Sequence, residues 1–337
     1  MESLILTVFN FAALSRATLE KRVCGGVFMA QQKIADILKT RMTFSFEVFP
    51  PKEDDGVPKL QKELDELFKF SPDFISCTYG AGGTNVGKSV EICDYIVKKD
   101  VTCMTHFTCI GSTKELIKQH MDNYTKKLGL KNVLAMRGDF PKDPNTGDLM
   151  TTTGGVFNNA NFLIKFLKDN YPDLCIAGAG DPETHILAVS PESDIAFIRA
   201  KQDAGAEFVM CQLCHDIPAY EKWVKRCRKA GITLPFVMGL MPVLARDPII
   251  NMTVSNGCAI PADLAVIIGK YTAPRGSSEE LAKRYAADFK KAGMEYTVKS
   301  LWRYMNTDLQ GIHLYALNRA ADVGKIVQDS GIRAKKN

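Results

Sequence analysis

The residues best suited to chemistry stand at the ends of short apolar runs. Residues 133–136 form an apolar run of strand length, and Arg137, Gly138 and Asp139 follow it directly. A cation, a backbone without Cβ and a carboxylate would therefore meet at the carboxyl end of a strand. In parallel α/β proteins that end is where ligands bind. The stretch predicts a ligand site.

Other apolar runs end in polar residues in the same way. Glu47 has apolar neighbours, so burial is expected to raise the pKa of its carboxyl toward neutrality, which suits a general acid. A structural glutamate paired with an arginine is the alternative. Gln212 interrupts a later run with an amide that offers a donor and an acceptor to a heterocycle. Further polar residues at strand ends are Thr78, His106, Asp181 and Arg319.

Apolar runs and helical patterns alternate along the chain, which predicts a parallel sheet with right-handed crossovers. The helical patterns show a 3.6-residue period, as at Leu60, Leu64 and Leu67. The predicted strands cover residues 44–49, 74–78, 103–109, 133–136, 175–180, 208–213, 236–241 and 311–315. Eight such units in roughly 300 residues favour a (β/α)8 TIM barrel, with a doubly wound open sheet as the alternative.

Composition is that of a soluble globular protein. The chain has 337 residues, 46% of them hydrophobic and 24% charged, and its net charge of +5 is too small to predict nucleic-acid binding. Ten cysteines, several of them within apolar runs, do not form the pattern of a disulfide-stapled domain. We therefore expect a reducing compartment, the cytoplasm, and no nucleic-acid or membrane partner.

We expect three segments. Residues 1–28 are interpreted as a loosely ordered extension, residues 29–330 as a single catalytic barrel and residues 331–337 as a basic tail. The apolar stretch at residues 4–14 is too short to span a bilayer. The cations Arg16, Lys21 and Arg22 after it leave an organelle-targeting signal as an alternative.

Two motif matches are interpreted as accidental. Residues 82–89 satisfy G-x-x-x-x-G-K-S, the phosphate-binding P-loop, but no later strand supplies a clear magnesium-binding Asp. Cys211, Cys214 and His215 match C-x-x-C-H, the haem-attachment pattern, yet they fall at the end of a predicted buried strand. Asp194 and Lys201 lie two helical turns apart, and from spacing alone they would be a solvated surface pair.

The ordered set of strand-end motifs resembles the methylenetetrahydrofolate reductase family, in its bacterial form without a regulatory domain. The resemblance covers residues 43–319 and rests on FEVFPPK at 46–52, TYGA at 78–81, HFTC at 106–109, RGD at 137–139, PETH at 182–185, DAGA at 203–206, Gln212 and LNR at 317–319. It implies a (β/α)8 barrel that holds FAD non-covalently. The implied reaction reduces 5,10-methylenetetrahydrofolate to 5-methyltetrahydrofolate with NADH or NADPH, by ping-pong hydride transfer through flavin N5.

The resemblance also assigns roles to residues. It makes Glu47 the general acid at N10 and Asp139 the carboxylate that stabilises the cationic intermediate. Substrate contacts are implied for Gln212, Arg319, Asp139 and Thr78. Cofactor contacts are implied for Thr78, Tyr79, Ala81, His106, Arg137, Gly138, Ala160, His185, Asp194 and Lys201. The implied partner is the folate substrate, within a homo-oligomer, and no metal is expected.

The chain departs from the family pattern at two places. Asp181 stands where bacterial members often have a tyrosine beside the flavin. Residues 244–252 fit poorly, and Met252 occupies roughly the place of a substrate-stacking aromatic. Two other functions remain as alternatives, a P-loop nucleotide hydrolase and a non-catalytic barrel subunit of a larger redox complex.

Overall fold

The fold is a closed barrel of eight parallel strands, as predicted. The computed structural model describes residues 31–79, 86–140, 143, 146–147 and 155–333. Each strand pairs with the next along the chain, and the last pairs with the first. The strands are β1 (Thr43–Val48), β2 (Phe74–Cys77), β3 (Cys103–Thr108), β4 (Asn132–Met136), β5 (Cys175–Gly180), β6 (Phe208–Cys211), β7 (Phe236–Leu240) and β8 (Gly311–Tyr315).

Helices connect the strands. Those described are α1 (Ile34–Leu38), α2 (Gly56–Phe68), α3 (Val86–Lys98), α4 (Lys114–Asp122), α5 (Ala160–Asn170), α6 (Pro191–Asp203), α7 (Ile217–Lys229), α8 (Arg246–Ser255), α9 (Ala262–Lys270), α10 (Glu279–Met305) and α11 (Ala320–Ser330). A π-helical turn, Asn123–Lys127, continues α4. Thr113 caps α4, because its side chain accepts a hydrogen bond from the Leu116 N–H.

Between β7 and β8 the chain forms three successive helices, α8, α9 and α10. Helices α8 and α9 follow β7, and Gly257 in the left-handed region (φ 69°) lies between them. Helix α10 runs through Gly293 to Met305. A Cβ at Gly293 would lie 2.0 Å from the Val243 carbonyl oxygen, so this glycine allows close packing inside the helix.

Side chains alternate between the two faces of each strand. On β1, Phe44 and Phe46 face the helices and join the outer core, while Ser45 and Glu47 belong to the other face. Near the amino ends of the strands the barrel interior is apolar and includes Phe74. Helix α1 closes this end, where the Ile34 N–H donates to Asn132 Oδ1 at 2.8 Å. Apart from Asn132 at this end, the inward-facing side chains Glu47 and His106 place polar groups near the carboxyl ends of their strands.

The cysteines support the expectation of buried thiols. All nine cysteines in the described ranges are free thiols, and the five within apolar runs are buried: Cys77, Cys103, Cys109, Cys175 and Cys211. Cys214 and His215 of the haem-like motif are also buried, and the described residues contain no cluster of metal ligands. None of the described helices is long and apolar enough to cross a membrane.

Candidate functional site

Glu47 lies between two histidines near the carboxyl ends of the strands, which we call the top of the barrel. The inward-facing polar side chains here form what we call the polar layer: Ser45, Glu47, Ser76, His106 and His313. The residue surface of Glu47 is only 8% exposed. Oε2 of Glu47 lies 3.6 Å from Nε2 of His106 on β3 and 3.5 Å from Nε2 of His313 on β8. His313 in turn contacts Ser45 Oγ through Nδ1 at 2.7 Å and Ser76 Oγ through Nε2 at 3.0 Å. The carboxylate thus contacts side chains from two strands, β3 and β8, and one of them, His313, is held in turn by Ser45 on β1 and Ser76 on β2.

The charge state of Glu47 differs from the expectation. Burial raises its pKa, but the hydrogen bond to His313 and the charges of His106 and His313 outweigh burial, so the pKa lies below its ordinary value. The expected pKa near neutrality was therefore wrong, because the sequence did not show these two neighbours. Burial lowers the pKa of His106 to about 4 despite the opposing charge of Glu47. Without a ligand, Glu47 is a carboxylate at neutral pH.

Gln212 is tied to the same layer by a hydrogen-bond chain. It follows β6 directly, and its Oε1 accepts from the Leu213 N–H at 2.8 Å and the Tyr315 hydroxyl at 3.3 Å. Its Nε2 donates to Asn256 Oδ1 at 3.0 Å. Tyr315 is also the β8 register partner of Glu47. The barrel therefore brings Gln212 and Glu47 to one surface from opposite parts of the sequence.

The stretch after β4 makes a tight turn over β3. Gly138 has φ 86°, a backbone conformation that L side chains rarely adopt, and a Cβ there would lie 2.8 Å from Thr108 Cβ. Arg137 Nε donates to the Gly138 carbonyl at 3.1 Å, and its guanidinium lies over the Phe140 ring. Asp139 is exposed at the rim of the barrel. The turn thus brings the backbone close to β3 and leaves the carboxylate accessible.

Asp194 and Lys201 are not a solvated surface pair. Lys201 reaches from α6 to donate to the Ala179 carbonyl at 2.6 Å. Asp194 is 7% exposed, and its Oδ2 has no hydrogen-bond partner in the described part of the chain. Burial raises the pKa of Asp181, against the opposing charges of His185, Lys201 and Arg137. Burial lowers the pKa of Lys201.

We call these groups the charged cluster. Its members are Arg137, Asp181, His185, Asp194 and Lys201. It lies where β4, β5 and α6 meet. Its unpartnered carboxylate oxygen and its cations could bind a ligand that carries both hydroxyl and phosphate groups, because carboxylates accept from hydroxyls and cations pair with phosphates. The cluster also accommodates Asp181, the departure from the family pattern, beside two cations.

The remaining predicted residues fall at the same end of the barrel. Thr78 follows β2, and its N–H donates to the Val48 carbonyl at 3.1 Å. Tyr79 packs on Phe107, and burial raises its pKa to about 12. Ala160 is buried at the first position of α5, and Arg319 is exposed just before α11. Ala81 lies outside the described residues.

The P-loop interpretation fits poorly with the two residues of its motif that are described at side-chain level. The Lys88 ammonium donates to the Lys52 carbonyl and lies 3.1 Å from Asp54 Oδ1. Ser89 Oγ donates to the Thr78 carbonyl at 3.1 Å. Both side chains are therefore engaged by the protein itself. Most of the glycine-rich turn before them lies outside the described residues.

Sequence reasoning missed five residues of the site, Ser45, Ser76, His313, Tyr315 and Asn256. The period of two along a strand could have found four of them. His313 and Tyr315 lie two apart on β8, Ser45 lies two residues before Glu47, and Ser76 lies two residues before the predicted Thr78. Asn256 carried no such signal, because it ends a helix far from any strand.

Comparison with known proteins identifies the family. The family model "Methylenetetrahydrofolate reductase" matches residues 31–331. A "Methylenetetrahydrofolate reductase (NADH) 1" of Zea mays is 30% identical over 305 residues, 87% of this chain and 49% of that protein. A "5,10-methylenetetrahydrofolate reductase" of Pectobacterium carotovorum is 26% identical over 303 residues, 90% of this chain and 94% of that protein.

The chain spans about half the length of the first plant relatives that it matches. A solved Clostridium thermocellum protein described as binding two copies of 5-methyl-5,6,7,8-tetrahydrofolic acid has a TM-score of 0.57 at 13% identity, over 89% of this chain and 99% of that one. That likeness supports the barrel fold alone. The match of the family model over most of the chain is the stronger result, and by it the chain belongs to the methylenetetrahydrofolate reductase family.

Proposed function

We propose that the chain catalyses the FAD-dependent reduction of 5,10-methylenetetrahydrofolate to 5-methyltetrahydrofolate with NADH or NADPH. The observation that carries this proposal is the buried Glu47 carboxylate at the carboxyl end of β1, within the polar layer to which Gln212 is tied. It combines a candidate proton donor with a candidate ring-binding amide. Family membership supplies the reaction class.

The charged cluster fits the cofactor. FAD carries ribityl hydroxyls and a diphosphate, and its redox chemistry transfers a hydride between the nicotinamide and the folate. The unpartnered Asp194 oxygen would accept from a hydroxyl, while Lys201 and Arg137 would face the anionic or carbonyl groups. Gly138 would let the backbone approach the ring system closely. Thr78, Tyr79, His106, Ala160 and His185 would complete the contacts.

Glu47 would act as the general acid that opens the five-membered ring of the substrate by protonating N10. Its pKa lies below the ordinary value in the ligand-free protein, so the proton must be acquired when the folate binds. A folate that covers the carboxylate would exclude water and strengthen the burial effect, which raises the pKa. Asp139 would stabilise the cationic folate intermediate through its negative charge.

Gln212 would orient the pterin and, in the other half-reaction, the nicotinamide, while Arg319 and Thr78 would contact folate. One surface used in turn by two substrates predicts ping-pong kinetics. The names of the relatives include both NADH and NADPH, so either donor fits the family. The active protein is expected to be a homo-oligomer.

The proposal is tested by anaerobic stopped-flow on the full chain reconstituted with FAD. We expect NADH or NADPH to bleach the flavin absorbance and methylenetetrahydrofolate to restore it. Glu47→Gln should still bleach but should restore the absorbance at least 100-fold more slowly, since general acid catalysis contributes about 10²–10⁴-fold. Folate binding should take up about one proton in the wild type and none in the variant.

The alternatives give other results. A nucleotide hydrolase would show magnesium-dependent ATP hydrolysis and no flavin spectrum, and a non-catalytic barrel subunit would fail to restore the absorbance even as wild type. If Glu47→Gln restores the absorbance at the wild-type rate, the assignment of Glu47 as the acid is wrong. Normal bleaching in the variant serves as the internal control for FAD binding and folding.

A further inference from the structure

The hydrogen bonds around Gln212 determine which way its amide points. A backbone N–H can only donate, so the Gln212 atom 2.8 Å from the Leu213 nitrogen must be the oxygen. The Tyr315 hydroxyl, 3.3 Å away, approaches the same oxygen. Burial raises the pKa of Tyr315 well above its ordinary value, so its hydroxyl keeps the proton to donate. Both lone pairs of the amide oxygen are therefore used inside the protein.

The Asn256 side chain has a fixed polarity for the same reason. A carbonyl oxygen can only accept, so the Asn256 atom 2.8 Å from the Met252 carbonyl must be the amide nitrogen. Its oxygen then faces Gln212 and accepts from Nε2 at 3.0 Å. A chain of donors and acceptors thus runs from Met252 through Asn256 to Gln212 and ends at the Leu213 N–H.

From this chain of hydrogen bonds we propose that Asn256 is a positioning residue that presents Gln212 to the ligand as a hydrogen-bond donor only. One N–H of Gln212 Nε2 is held by Asn256, and the other has no partner among the described residues. Gln212 was predicted to offer a donor and an acceptor, but its acceptor capacity is already filled. The inference rests on the proposed function for the identity of the ligand.

The consequence concerns ligand chemistry. A donor-only Gln212 selects a ring substituent that accepts, such as a carbonyl oxygen, and disfavours an amino group at the same place. An amino group would leave two donors facing each other without an acceptor. The pterin and nicotinamide groups both carry a carbonyl oxygen, so one N–H can serve both half-reactions. The two ligands would then share this atom of the protein.

A structural role for Asn256 can be separated from orientation of Gln212 because the chain contains a matched residue. Asn306 ends α10 as Asn256 ends α8, and its Nδ2 donates to the carbonyl four residues earlier, Trp302, at 2.7 Å. Among the described residues no hydrogen bond joins Asn306 to Gln212. Replacing either asparagine by leucine removes a helix-end hydrogen bond, but only one replacement frees the Gln212 amide.

The test compares Asn256→Leu, Asn256→Asp and Asn306→Leu. Aspartate keeps an oxygen toward Gln212 but loses the donor to Met252, so it separates orientation from the helix end. We expect Asn256→Leu to lower kcat/KM for methylenetetrahydrofolate by about 10- to 100-fold, as expected for a misplaced binding group. Asn256→Asp should stay within about threefold of wild type, and Asn306→Leu should match wild type. Equal losses in both Asn256 variants would show a structural role and overturn the proposal.

A second measurement does not depend on catalysis. In ligand-free protein labelled with [15N]glutamine, the Gln212 side-chain NH2 signals are identified by their disappearance in Gln212→Ala. One proton of the pair should be shifted and protected from exchange in the wild type and in Asn256→Asp. Asn256→Leu should lose that protection, and if it does not, Asn256 does not orient Gln212. A wild type that shows the protected proton but no reductase activity would refute the proposed function and leave the orientation intact.

Discussion

Replacing Gly138 by alanine tests whether the turn after β4 needs a glycine for two separate reasons. The first is backbone conformation, since φ at Gly138 is 86° and L residues are strained there. The second is space, since the added Cβ would lie 2.8 Å from Thr108 Cβ and 3.2 Å from its Cγ2. Thr108 Cβ is bonded directly to the backbone of β3 and cannot rotate away, so the turn itself must move.

The two energetic costs add. Left-handed backbone costs an L residue about 1–2 kcal/mol, and overpacking costs about 1–3 kcal/mol. Gly138→Ala should therefore lower the free energy of unfolding by about 2–5 kcal/mol. Gly129→Ala is the matched control, because its φ is 66° and a Cβ there would meet nothing within 4 Å. That variant should lose only about 1–2 kcal/mol.

Urea unfolding followed by circular dichroism measures both variants, and their difference isolates the steric contact with Thr108. Replacing glycine by alanine also lowers the conformational entropy of the unfolded chain, which stabilises the folded state. This stabilisation is the same in both variants and cancels in the difference. Because Gly138 lies between Arg137 and Asp139, its displacement should also lower reductase activity at least tenfold, while Gly129→Ala leaves activity unchanged. Equal stability losses in the two variants, or full activity in Gly138→Ala, would refute this reasoning.

Two further predictions follow from buried charged groups. Burial lowers the pKa of His215 to about 4, although the negative charge of Asp263 raises it. As the pH falls, His215 therefore takes up a proton in the unfolded state before it does so in the folded state. The free energy of unfolding should then decrease as the pH drops below about 6.5. The loss from this one group is about 2 kcal/mol in the free energy of unfolding between pH 7 and 5. Urea unfolding of His215→Leu at several pH values should lack this loss, and a pH dependence equal to that of the wild type would contradict the assignment. Lys201→Met should weaken FAD binding at least tenfold in a fluorescence titration, since it leaves buried carboxylates without their cation. Lys168→Met, which also loses a lysine-to-carbonyl hydrogen bond, is its control and should bind FAD normally; equal weakening would count against the charged cluster.

Local patterns predicted the barrel and the polar residues at the ends of its strands. The alternation of apolar runs with helical periods requires only neighbouring residues, and it located all eight strands. Strand ends were informative because parallel strands of one barrel share a direction. Glu47 and Gln212 could therefore be expected at one face without knowledge of their contacts.

The charge and polarity of those groups depended on contacts between distant segments. The pKa of Glu47 is lowered by a histidine from the other end of the chain, and no local pattern encodes that neighbour. Spacing alone favoured a solvated pair for Asp194 and Lys201, yet α6 packs them against β5. Asn256 is similar, since only tertiary packing brings the end of α8 to Gln212.

The sequence by itself thus determined which residue types stand at the top of the barrel. Strand direction and side-chain alternation are properties of short segments, and they suffice for that. The tertiary structure alone decided which of those residues are charged, which way their amides point and which have a free hydrogen bond to offer. These properties depend on distances of a few ångströms between segments far apart in the chain, because electrostatic and hydrogen-bond energies fall steeply with separation.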